Sequence, residues 1–208
     1  MDEKRFAYLS KATQQFIKLA WPILREHTVF TDLFVIEHSK SSQYQELDMS
    51  CGIDLIVTTE SGLTYGLASR NQFSYRYDTF TIRYERIGGS KTEYAKRCEW
   101  IESGCEGIGP QFAIQSYFNA DGSQFRQMAL VRTVDMFHYI QRYEKQAVEC
   151  FGCREIDRPP FYLDRGEKSN LFFVVPWDEL RERDVEVWSW KFDHDPQSCG
   201  EIKGVTTQ

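Results

Sequence analysis

The stretch that most constrains this chain runs from Cys51 to Gln72: Cys-Gly-Ile-Asp-Leu-Ile-Val-Thr-Thr-Glu-Ser-Gly-Leu-Thr-Tyr-Gly-Leu-Ala-Ser-Arg-Asn-Gln. Two β-rich runs flank a Glu60-Ser61-Gly62 turn, which predicts a β-hairpin. Asp54 falls inside the first run, among Ile53, Leu55, Ile56 and Val57. A carboxylate there must face solvent or have partners, because burying it alone is costly. Arg70 closes the second run. Both residues lie toward the open end of the hairpin, away from the turn, where an acid and a base can share one site. The bland reading of the same pair is a structural ion pair, or for Arg70 a plain surface charge.

Around the hairpin the chain reads as α/β. From Ala12 to Arg25, Phe16, Leu19, Ala20, Ile23 and Leu24 recur at helical spacing. Pro22 should kink or restart this helix. Phe30 to Ile36 is strand-like, and residues 37–50 are polar. Asp78 to Tyr84 alternates apolar and polar residues, as a third strand with one buried face would. After the Gly88-Gly89 turn, Ser90 and Glu93 have capping-box spacing for a helix that stops near Gly104. Phe112–Phe118 and Gln127–Arg132 read as two strands joined at Asn119–Gly122, and Thr133 as the cap of a long helix. Short strands follow at 171–175 and 185–192, with a helical turn between them over 177–183. The expected organisation is an α/β domain over 1–149, an extension over 150–192 packed on the same core, and a disordered tail over 193–208.

With 208 residues and 41% apolar content the chain can build such a core. No run of 18 apolar residues is present, and Met1-Asp2-Glu3-Lys4-Arg5 lacks the apolar stretch of a secretory signal. The expectation is a cytoplasmic protein that does not enter membranes, with its six cysteines as free thiols. Cys150 and Cys153 have metal-ligand spacing, but zinc needs two further ligands. Only Cys98 and Cys105, on and just after a helix, offer themselves, so zinc is not expected.

The net charge of −6 argues against a wholly basic nucleic-acid coat. Residues 70–97 differ: seven Lys or Arg stand against three acids, a local +4, which leaves −10 on the rest. Aromatic residues are interleaved, with Phe73, Tyr75 and Tyr77 in a short polar segment. Basic groups with stackable rings suit DNA or RNA, and Arg70, Gln72, Tyr75, Arg76, Arg83, Arg86 and Lys91 are the candidate contacts. The plain alternative is a strand with one apolar and one solvated face.

The order helix, β-meander with an acid in its first hairpin, helix and further strand resembles the PD-(D/E)xK, or restriction endonuclease-like, nucleases over residues 12–140. The residues that carry the resemblance are Gly52-Ile53-Asp54 on one strand and Gly66-Leu67-Ala68-Ser69-Arg70 on the next. The resemblance implies a mixed central sheet flanked by helices, and a phosphodiester nuclease dependent on Mg²⁺ or Mn²⁺. Asp54 would be the metal-binding aspartate, and Arg70 would stand where the family has lysine. Two departures matter. Ala68 occupies the place of the second acid, so Asp48, Glu37 or Glu26 would have to substitute. Arg70 stays protonated and cannot act as a base, although it can clamp a phosphate. The alternatives are a catalytically inactive relative that binds nucleic acid, and an accessory factor of a phage or mobile element that binds a protein partner.

Overall fold

In the computed structural model the described residues are 10–36, 47, 51–73, 77–85, 91–105, 108–151, 160–165 and 170–192. The first helix, α1, runs as Lys11–Gln15, a π-helical turn Phe16–Ala20, and Trp21–His27. Ser10 caps it, its hydroxyl accepting from the Thr13 N–H. Pro22 lies in the first turn of the last segment. A new α-helical segment begins at Trp21, so the proline stands at a restart of the helix, as expected. Proline has no N–H and crowds the carbonyl four residues back, and the wider π turn just ahead, closed by Trp21 N–H on the Phe16 carbonyl, takes up the misfit.

The strands are β1 (Phe30–Val35), β2 (Leu55–Thr59), β3 (Thr64–Phe73), β4 (Thr79–Glu85), β5 (Phe112–Phe118), β6 (Phe125–Arg132), β7 (Tyr162–Arg165), β8 (Leu171–Pro176) and β9 (Val187–Lys191). The later helices are α2 (Glu93–Glu102), α3 (Thr133–Glu149) and α4 (Trp177–Glu182). Six strands form one mixed sheet in the order β1-β2-β3-β5-β6-β9; β4, β8 and β7 form a second. Within the first sheet β3 and β5 are parallel and the other neighbours antiparallel. The chain between β3 and β5 includes α2, as a parallel crossover requires.

Three expectations need correction. The Asp78–Tyr84 segment is a strand, but it leaves the meander. β4 pairs with β8, so the central neighbour of β3 is β5. The cap of α2 is Thr92, whose hydroxyl accepts from Ala95 N–H, while Ser90 lies outside the described residues. Thr133 is the first residue of α3 rather than its cap: it is buried, and the preceding Arg132 makes no side-chain capping bond. Residues 37–46, 152–159 and the tail over 193–208 also lie outside the described residues.

Two cores sandwich the main sheet. On one face Phe16, Ala20 and Leu24 of α1 pack on Leu55, Val57, Leu67, Ile114, Met128 and Leu130. On the other, Met136, Phe137 and Ile140 of α3 meet Tyr117, Ala129, Val131 and the second sheet's Phe80, Ile82, Phe173 and Val175. Cover on both faces is why β6 reads Met-Ala-Leu-Val without alternation. Each fully buried Leu, Ile or Phe contributes about 1.5–3 kcal/mol. No helix among the described residues is long and apolar enough to cross a membrane.

Tyr117 joins the two sheets, donating to the Thr79 carbonyl at 2.9 Å. Burial pushes its phenol up to about 12; burial also raises Tyr94 and Tyr139. The folded chain thus keeps a proton that the unfolded chain releases near pH 10. The resulting stability is intact below about pH 10 and falls as pH rises toward about 12. Circular dichroism across this range should show base unfolding, with a shallower dependence in Tyr117→Phe. An equal slope in that variant would contradict the assignment.

Candidate functional site

β3 outruns β2. Their pairing ends at Leu55 opposite Leu67, while β3 continues to Phe73. Asp54 sits one residue before β2 rather than within it. Its N–H donates to the Leu67 carbonyl at 2.9 Å, and its Oδ2 accepts from the Ser69 N–H at 2.6 Å. The carboxylate thereby serves a strand-edge donor that β2 no longer reaches. A cleft of about 360 Å³ lies here, lined by Ser10, Thr13 and Phe16 of α1 and by Asp54, Ser69, Arg70 and Asn71. Asp54 and Arg70 both line it, but the Arg70 guanidinium turns to the opposite face of β3, toward the second sheet.

Their charges are not directly paired. The Arg70 guanidinium faces Glu93, at 3.6 Å from Nη2 to Oε2. Its Nη1 donates to the Thr81 carbonyl at 3.0 Å, and it lies 5.0 Å over the Phe172 ring. Glu93 is therefore not a capping residue: it opens α2 and turns toward Arg70, also accepting from Arg83 N–H at 3.4 Å. About a quarter of each side chain in this pair remains exposed.

Behind them lies Arg97, only 2% exposed. It donates to the carbonyls of Cys51 at 2.8 Å and Gly52 at 2.7 Å, fixing the segment that delivers Asp54. Burial lowers its pKa, and the nearby charges of Glu93, Asp54 and Cys51 oppose that shift. The guanidinium stays charged. Arg97 was not singled out from sequence. Two signals pointed to it: Glu93 and Arg97 are spaced as a favourable i,i+4 pair, and Gly52 interrupts the approach to a strand.

The other candidates divide. Gln72 donates to Thr81 Oγ1 at 3.2 Å, beside Arg70. The Arg83 guanidinium shares the Phe172 ring with Arg70, at 5.7 Å. Lys91 is exposed and held by Glu99 at 2.7 Å. Tyr75, Arg76 and Arg86 lie outside the described residues, as do the proposed metal ligand Asp48 and Glu37. Of the suspect aromatics, Phe73 stacks on Phe118 in the core at 5.5 Å, and Tyr77 is 53% exposed. Cys98, Cys105 and Cys150 are free thiols, and Cys153 and Cys199 lie outside the described residues.

Mg²⁺ or Mn²⁺ held as the nuclease resemblance implies would need hard oxygen ligands carrying spare negative charge. The described residues do not fit that need. Ala68 offers no oxygen, one Asp54 oxygen is engaged by Ser69, and Glu93 is held by Arg70. Glu93 is paired with Arg70, and the charges of Glu93 and Asp54 both act on Arg97. Among the described residues no group of three or more His, Cys, Asp or Glu could hold a metal ion. The chain matches no protein-family model, no curated protein and no solved structure.

Proposed function

We propose that this is a nucleic-acid-binding protein on a PD-(D/E)xK-like layout, which takes a backbone phosphate of DNA or RNA at the open edge of β3 and does not cut it. The observation that carries the reading is the shared cleft of Asp54 and Arg70 at the open edge of β3. The main-sheet succession α1, β1–β2–β3, then α2 and β5 after β4 has left for the second sheet, supports the restriction endonuclease-like assignment, being a helix, an antiparallel meander, a helix and a strand. A cleft of about 360 Å³ suits one nucleotide unit of a single strand. Arg70 supplies the charge for the phosphate from the second-sheet face of that edge, where its stacking on Phe172 and bond to Thr81 pre-orient it. Binding without cleavage is supported by Ala68, which offers no oxygen where the pattern has its second acid.

Fluorescence anisotropy with labelled oligothymidylate and oligouridylate tests this. The chain should bind in a salt-dependent manner. Arg70→Ala should weaken binding about tenfold and reduce the salt slope by about one. Equal binding by wild type and Arg70→Ala would refute the site. Cleavage of the strand in Mn²⁺ that Asp54→Ala abolishes would refute the non-catalytic reading.

A further inference from the structure

The Arg70–Glu93 pair has the geometry of an exchangeable contact. At 3.6 Å it is an ion pair without a close hydrogen bond, and both side chains reach solvent. Arg70 is otherwise fixed, since Nη1 is bound to Thr81 and the plane lies over Phe172. The Nη2 edge is the part that can change partners. A carboxylate and a phosphate present the same kind of oxygens to that edge. Glu93 has a second cation at hand, Arg97 on the next turn of α2.

We propose that Glu93 is the built-in competitor for the Arg70 guanidinium, holding it in the free protein and yielding it to an incoming phosphate oxyanion. This rests on the proposed function, and it makes Glu93 a specificity-determining residue. The contact admits tetrahedral oxyanions that outcompete a carboxylate and turns away weaker anions. Charge at Glu93 then acts through Arg70 and not through the general field of the protein.

Anisotropy with fluorescein-labelled oligothymidylate of about a dozen nucleotides, at low salt, separates these routes. Glu93→Gln should bind about threefold to tenfold more tightly than wild type. Glu99→Gln removes the same charge from the same helix but pairs with Lys91, and should change affinity less than about twofold. In an Arg70→Ala background the gain from Glu93→Gln should vanish. Thermal melts of each variant confirm that the folded protein is compared. A gain that persists without Arg70, an equal gain from Glu99→Gln, or no gain from Glu93→Gln would overturn the proposal. If wild type binds and Arg70→Ala weakens it while Glu93→Gln does nothing, this inference falls alone. If no variant binds, the proposed function falls with it.

Discussion

Arg97→Met should cost about 3–5 kcal/mol of folding stability, the range for removing one partner from a buried charged network. The side chain is 2% exposed, and it satisfies two backbone carbonyls ahead of Asp54. Methionine fills similar space but donates nothing. The Cys51 and Gly52 carbonyls lose their donor, and Glu93 and Asp54 lose a neighbouring cation. Domains of this size are stable by about 5–15 kcal/mol, so the variant approaches the limit of folding. Urea denaturation measures the loss. A cost below about 1 kcal/mol would mean that the guanidinium is dispensable to the segment before β2.

Gly52→Ala should cost about 2–4 kcal/mol, from two sources. The residue has φ of +61°, where a β-carbon is strained. That carbon would also stand 2.6 Å from Arg97 Nη1, so the guanidinium must move off its carbonyls. The two substitutions act on one contact, and their costs should not add. Combined with Arg97→Met, the alanine should cost at least about 1 kcal/mol less than it does alone, because the clash partner is gone. Full additivity in urea denaturation would show that strain at φ, and not the guanidinium, sets the cost.

The hairpin was legible because its signals are local: two β-rich runs and a turn at Gly62, which has φ of +79°. α3 and the β5–β6 pair were legible for the same reason, each carrying its own periodicity and turn residues. The sheet membership of β4 was not. Its alternation specifies a strand with one buried face, and either β3 or β8 could supply the neighbour. That choice is made by residues almost a hundred positions away. The π turn before Pro22 is invisible to a scheme that reads only α-helical spacing. At the site, Asp54 and Arg70 were found because a known pattern singles them out. Glu93 reads as a helix cap and Arg97 as one cation of the 70–97 strip, since their partners come from β3 and from the segment before β2. The local spacing of Glu93 and Arg97 marks a pair along the helix but does not say which strand or segment each one reaches.

The most direct test of the account is a crystal structure of the protein with a short oligothymidylate. A nucleotide unit should lie at the open edge of β3, with a phosphate oxygen in hydrogen-bond reach of Arg70 Nη2 and Glu93 turned toward Arg97. A strand bound elsewhere while the Arg70–Glu93 contact stays closed would contradict it.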